Sequence, residues 1–203
     1  MDKKAIQKKE QIEYLNIATI NVQELNMQLK RYLIFEYLNK EGLDIVSIME
    51  TKLAQKEDLK RSLTNEYYYI YTTATPEDLE LKRESAMGTA LLVKPYLRHY
   101  IHNIESFLGT AIMIDLFLPG NLRTRLISIY LLSDRREISL KTQQKLKSWI
   151  ITGQKKNMKM ILMEDFNSNL RRTDSAGTIP VFNTMTKNRM ISLLKVNKIQ
   201  DYT

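Results

Sequence analysis

In Asp44-Ile45-Val46-Ser47-Ile48-Met49-Glu50-Thr51-Lys52, residues 44–49 are a short apolar run of strand length that ends at the carboxylate of Glu50. A run so short and so apolar suits a strand covered on both faces, the kind found in parallel pairs beneath helices. Just upstream, between Met27 and Lys40, Leu29, Leu33, Ile34, Tyr37 and Leu38 recur at spacings of three and four. That spacing predicts a helix with these five residues as its buried face, and Gly42 as its stop. Before the helix, Tyr14-Leu15-Asn16-Ile17-Ala18-Thr19-Ile20 alternates in the period of a strand and ends at Asn21. Strand, helix and strand within about 35 residues make a βαβ unit, for which a right-handed crossover is expected.

Downstream, a polar helix is expected over 55–63, a tyrosine-rich strand over 67–71, and a charged loop from Thr72 to Ser85. Four strand-like segments follow in close succession, at 88–93, 100–103, 111–118 and 123–131, and read as antiparallel neighbours. Pro119-Gly120-Asn121 joins the last two as a turn, with Pro fixing φ and Gly or Asn accepting positive φ. Asp134 can cap a helix from 135 to about 151 that turns Leu146, Trp149 and Ile150 inward. Met158 to Met163 is another buried strand, ending at Glu164-Asp165-Phe166-Asn167. A polar loop from Ser168 to Gly177 and a last helix around 182–196 complete the chain. Residues 1–13 are a charged lead-in, and 14–203 form one mixed α/β domain.

Composition narrows the chemistry. The 203 residues carry 31 basic and 23 acidic side chains, a net charge of +8, with 43% hydrophobic residues. That apolar content supports a core and excludes global disorder. With no Cys, there is no disulfide scaffold, thiolate nucleophile or sulfur-ligated zinc site. The two His, His99 and His102, leave almost nothing for an imidazole metal site and read as ordinary strand or loop residues. The N-terminus lacks the apolar core of a signal peptide, and no apolar run approaches the roughly 18 residues of a membrane span. The expectation is an intracellular protein, nuclear or cytoplasmic, neither secreted nor membrane-bound. Its basic charge suits a polyanion such as DNA, and equally serves plain solubility.

The polar residues at strand ends are the candidate chemistry. Asn21, Glu50 and the Asp165/Asn167 pair each follow an apolar strand, a rigid platform from which side chains can converge. Carboxylates and amides without Cys suit a hard cation such as Mg²⁺, which takes few protein ligands and keeps several waters.

Taken in order, 17–22, 44–52, Gly88-Thr89-Ala90-Leu91-Leu92-Val93, Ile127-Ser128-Ile129-Tyr130 and 161–167 resemble the endonuclease/exonuclease/phosphatase superfamily. That is the fold of deoxyribonuclease I and AP endonucleases, and the series looks most like the endonuclease domains of LINE-type (non-LTR) retrotransposons. The resemblance implies a four-layer α/β sandwich, two packed mixed β-sheets flanked by helices. It implies Glu50 as the main ligand of Mg²⁺ or Mn²⁺, and Asn21 in the metal shell or on the phosphate. Tyr130 matches the tyrosine leading into the phosphate site. Asp165 would position or activate the attacking water, and Asn167 would hold a non-bridging phosphate oxygen. DNA is the implied partner, and a reverse transcriptase domain is the implied neighbour in a longer parent polypeptide.

The departures are specific. Ile20 replaces an aromatic residue, Met49 a Gln, Leu132 a Pro, and Glu164 the Gly before Asp165. The two last strands of the family, with a catalytic His and its orienting Asp, have no counterpart, so the domain is expected to be incomplete at its C-terminus. Three functions therefore stay open: a DNA endonuclease, a non-catalytic remnant that at most binds DNA, and a phosphatase or phospholipase of the same fold.

Overall fold

The computed structural model describes residues 12, 14–53, 67–72, 87–131 and 136–165, with Asp165 by its backbone alone. The expected lead-in (Ile12 aside), the helix at 55–63, the loop from Thr72 to Ser85 (Thr72 aside), the Asp134 cap, Leu132, Asn167 and everything after it lie outside the described residues.

The elements in chain order are β1 (Ile17–Asn21), α1 (Gln28–Lys40), β2 (Ile45–Met49), β3 (Tyr68–Thr72), β4 (Thr89–Val93), a 3-10 turn (Pro95–Tyr100), β5 (Ile101–Phe107), β6 (Ala111–Leu118), β7 (Leu122–Tyr130), α2 (Arg136–Lys155) and β8 (Lys159–Asp165). They form two four-stranded sheets, ordered β1-β2-β4-β3 and β5-β6-β7-β8. Each sheet has one parallel pair, β1 with β2 and β7 with β8, and its other pairs are antiparallel. The α/β sandwich of two mixed sheets with helices is therefore as the sequence implies. At Gly120 and Asn121 φ is +74° and +60°, which is why those two residue types make the β6–β7 turn.

Alternation along the strands sorts side chains into three apolar layers. Val46, Ile48, Ala90 and Leu92 face outward from the first sheet and meet Phe35 and Leu38 of α1. Ile45, Leu91 and Val93 face the other way and meet Ile112, Ile114, Leu126 and Met163 between the sheets. Ala111, Met113, Ile127 and Ile129 form the far face of the second sheet and meet Leu146, Trp149 and Ile150 of α2. Strands β2 and β4 are buried throughout, which accounts for their uninterrupted apolar sequences.

The face of α1 differs from expectation. Phe35 and Leu38 are buried, whereas Leu29, Leu33 and Tyr37 are 64%, 57% and 54% exposed. The helix is apolar on two sides, so spacing alone could not choose between them. The preceding loop chooses: Lys30 Nζ donates to the Val22 carbonyl at 2.6 Å, and Arg31 Nη1 donates to the Leu25 carbonyl at 2.6 Å. Those bonds turn residues 30 and 31 toward the sheet, and their neighbours one turn on, Ile34, Phe35 and Leu38, follow them inward. The basic pair Lys30-Arg31 thus holds a loop together as well as carrying charge.

Beneath α2 lies a buried ion pair. Asp115 and Arg125 stand directly opposite on β6 and β7, each 2% exposed. Arg125 Nε and Nη2 bond the two carboxylate oxygens at 2.6 and 2.8 Å, and Nη1 donates to the Trp149 carbonyl and Thr152 Oγ1 at 2.6 and 2.7 Å. At Gly153 a Cβ would lie 3.3 Å from Arg125 Cδ, so the bare glycine lets the helix close over the pair. Nearby, the Trp149 indole donates to Glu105 at 2.8 Å and Lys145 sits 3.0 Å from the same carboxylate. The indole bond, with the Lys145 ammonium beside it, holds the Glu105 carboxyl below its usual range. No helix among the described residues is long and apolar enough to cross a membrane.

Two predictions follow the packing. Leu38→Ala should lose about 2–5 kcal/mol in denaturant unfolding, while Leu33→Ser should stay within about 0.5 kcal/mol. Because the Glu105 carboxyl titrates lower folded than unfolded, its contribution is present above the ordinary carboxylate range and lost as pH falls through the lowered value. Melting scans from neutral to acid pH should therefore fall less steeply for Glu105→Gln than for the parent.

Candidate active site at the strand ends

Both parallel pairs point their C-terminal ends the same way, and a hydrogen bond through the core fixes their relation. Ser47 Oγ of β2 and Ser128 Oγ of β7 are 2.5 Å apart, both fully buried. Two residues further along each strand, on the same inward faces, Met49 and Tyr130 join Met87 in one buried cluster. The residue after Met49 is Glu50, and Tyr130 pairs in register with Asp165 across β7 and β8. The ends of all four parallel strands are thereby gathered at one end of the sandwich.

At the β1–β2 end, Asn21 Nδ2 donates to Glu50 Oε2 at 3.1 Å, and Lys52 Nζ lies 3.3 Å from Glu50 Oε1. The Glu50 side chain is 18% exposed, so the carboxylate is reachable without being fully solvated. Asn21 Oδ1 accepts the Gln23 amide at 2.9 Å, a local bond that starts the turn out of β1. The two loops leaving the strands are laced together, with Val22 N–H donating to the Met49 carbonyl at 3.1 Å and Leu25 N–H to the Thr51 carbonyl at 2.8 Å. The backbone bonds between the two loops thus set how close Asn21 and Glu50 stand.

Of the residues singled out in the sequence, Asn21 and Glu50 are in direct contact. Tyr130 is 5% exposed and packs among methionines at the neighbouring strand end. Asp165 is placed beside Tyr130 by its backbone, and Asn167 lies outside the described residues. His99 and His102 are exposed on the 3-10 turn and the start of β5, at the opposite end of the second sheet from Tyr130. His102 stacks on Phe117 with ring centroids 4.0 Å apart. Sequence reading missed the contact of Lys52 with Glu50 and the part played by Thr51. Both stand in the quoted Glu50-Thr51-Lys52 segment, but nothing in residue type alone distinguishes a lysine beside a carboxylate from a solvated one.

Among the described residues no group of three His, Cys, Asp or Glu side chains clusters closely enough to enclose a cation. A single anchored carboxylate with an amide beside it still fits Mg²⁺, which holds most of its waters and is bound through one or two carboxylates. Lys52 would then exchange its place on Glu50 Oε1 for the cation.

Comparison with known proteins bears on the fold. No protein-family model matches the chain, and no curated protein matches it. Solved structures do. The AP endonuclease LMAP from Leishmania major aligns with a TM-score of 0.66 at 14% identity, over 86% of this chain and 66% of that one. An endonuclease/exonuclease/phosphatase family protein from Bacteroides thetaiotaomicron gives 0.58 at 14% identity, over 81% and 68%. The endonuclease domain of TRAS1, a telomere-specific non-LTR retrotransposon, gives 0.52 at 12% identity, over 86% and 71%. The chain spans about two thirds of the length of these proteins. At such identities the shared property is the fold.

The inter-sheet serine bond can be tested on its own. Ser47→Ala strands the buried Ser128 hydroxyl and should cost about 1–3 kcal/mol, whereas Ser47→Ala/Ser128→Ala removes both groups and should recover much of it. A double-mutant cycle by urea unfolding reads the coupling directly.

Proposed function

We propose that this chain, built on the endonuclease/exonuclease/phosphatase fold, is a Mg²⁺-dependent phosphodiesterase domain acting on DNA, of the retrotransposon endonuclease kind. The observation that carries the reading is the Asn21–Glu50 contact at the laced ends of β1 and β2, beside the ends of β7 and β8. Hydrolysis of a phosphodiester needs three things: stabilisation of charge developing on the phosphate, an oriented water, and donors set in place beforehand. A bound Mg²⁺ supplies Lewis-acid stabilisation of that charge. Glu50 would hold the cation, with the Asn21 amide fixing the carboxylate's orientation. Asp165 would accept a proton from the attacking water, Asn167 would donate to a non-bridging oxygen, and Tyr130 would set the floor of the site. The net charge of +8 supports a polyanionic substrate, and the fold shared with an AP endonuclease and a retrotransposon endonuclease domain makes DNA the first choice.

One observation favours a second reading. Both His residues stand away from the strand ends, so a His acid/base, worth about 10²- to 10⁴-fold, is not furnished by them. A chain with this architecture that holds DNA through basic charge without cutting it is the alternative. A phosphatase or phospholipase of the same fold is the more distant one.

Nicking of supercoiled plasmid separates these. The proposal expects nicking with Mg²⁺, none with EDTA, and a loss of about 10²-fold or more in Glu50→Ala and in Asp165→Ala. Nicking that persists in EDTA, or that Glu50→Ala leaves intact, would refute the cation role. Salt-sensitive DNA binding by a folded chain that never nicks would establish the second reading, and turnover of inositol phosphates alone would establish the third.

A further inference from the structure

The residues flanking Thr51 both have left-handed backbones, with φ of +58° at Glu50 and +53° at Lys52. Side-chain-bearing residues resist that region because Cβ crowds the following carbonyl, so the turn must be held by its surroundings. The contacts that hold it run through Thr51. Its N–H donates to the Gly88 carbonyl at 3.0 Å, and its carbonyl accepts the Leu25 N–H at 2.8 Å. Its side chain is fully buried, and Oγ1 occupies the place where a Cβ on Gly88 would stand. That hydroxyl has no hydrogen-bond partner among the described residues, so packing against Gly88 accounts for its position. Gly88 itself has φ +156°, a conformation that L side chains rarely adopt, and on its other flank Tyr71 Oη would lie 3.0 Å from an added Cβ. The Tyr71 hydroxyl donates to the Leu53 carbonyl, so the same loop is pinned again two residues on.

We infer that Thr51 and Gly88 are positioning residues, a lock that keeps Glu50 left-handed and so aims its carboxylate at Asn21. The mechanism is steric. Glycine at 88 leaves room for Thr51 to sink against the start of β4, and a sunken Thr51 leaves Glu50 no extended conformation in which Asn21 could reach it. The value of the lock for cation binding rests on the proposed role of Glu50. Its structural content does not.

Two readouts keep these apart: the side-chain amide resonances of Asn21 in a ¹⁵N–¹H correlation spectrum, and Mn²⁺ affinity by titration. Glu50→Ala supplies the amide signature of a lost Asn21–Glu50 contact. Gly88→Ala should reproduce that signature with its circular-dichroism spectrum retained, and should weaken Mn²⁺ by about 10- to 100-fold, the usual scale for a group that orients a ligand. Thr51→Ala keeps the backbone bonds but frees the wedge, and should broaden the same resonances with a smaller loss of affinity. In Thr51→Ala/Gly88→Ala the collision with Thr51 Oγ1 is gone, so the double variant should bind better than Gly88→Ala alone, short of full recovery because φ at 88 and the nearby Tyr71 hydroxyl still oppose a side chain. A folded Gly88→Ala chain with the parent's Asn21 resonances and affinity overturns the inference. Should Gly88→Ala not fold, unchanged resonances in Thr51→Ala overturn it equally. A parent chain that binds Mn²⁺ no better than Glu50→Ala removes the cation role of Glu50, while the amide resonances still decide the lock.

Discussion

The strand ends that carry the candidate site are gathered because two sheets meet in one fixed relation, and the Ser47–Ser128 hydrogen bond marks the point that fixes it. Between sheets, apolar packing is non-directional and would tolerate small slides. A hydroxyl pair buried in that layer does not, because displacement leaves two polar groups without water or each other. The two serines sit on the one strand of each sheet that carries both a parallel and an antiparallel neighbour. From there alternation does the rest. Two residues toward the C-terminal ends, the inward positions are Met49 and Tyr130; Glu50 follows Met49 at once, and Asp165 at the end of β8 pairs with Tyr130.

The fold was legible in the sequence to the extent that each element met a single environment. Strands β2, β4 and β6 are covered almost throughout, and their apolar runs have no competing interpretation. α2 has one apolar side, and Leu146, Trp149 and Ile150 were identified from it correctly. α1 has two, and the choice between them lay in Lys30 and Arg31 reaching back to carbonyls in the loop before the helix. Contacts of that kind depend on how the chain enters the helix, which spacing does not encode. Asp115 shows the same limit. In sequence it interrupts an apolar run, and only the register of β6 against β7 reveals that Arg125 faces it.

Of the candidate site, residue types and their order along the chain could be read, but the geometry could not. Asn21 and Glu50 stand 29 positions apart, and the parallel register that pairs Asn21 with Met49 turns this separation into a 3.1 Å contact. The β1–α1–β2 unit predicted that neighbourhood. Lys52 beside Glu50, and Thr51 against Gly88, were beyond prediction because they depend on left-handed backbone at two non-glycine residues, which residue preference argues against.

That backbone is where the structure is least regular and the chemistry most concentrated. Among the described residues seven non-glycine residues have positive φ, and four of them, Gln23, Glu24, Glu50 and Lys52, lie in the two loops that leave β1 and β2. Two more, Asn121 and Asn157, are asparagines in turns, where the residue type suits the conformation. The four at the strand ends have no such excuse in their side chains. They are held by hydrogen bonds from Val22, Leu25 and Thr51 to backbone partners on neighbouring segments, contacts available only once β1, β2 and β4 stand side by side in the first sheet. Strain sustained by a finished fold, at a place where a carboxylate, an amide and an ammonium converge, is the preorganisation that the proposed cation role of Glu50 would require. A loop that merely connected β2 to the next strand could relax. This one is clamped from two sides, and what the clamp holds still is Glu50.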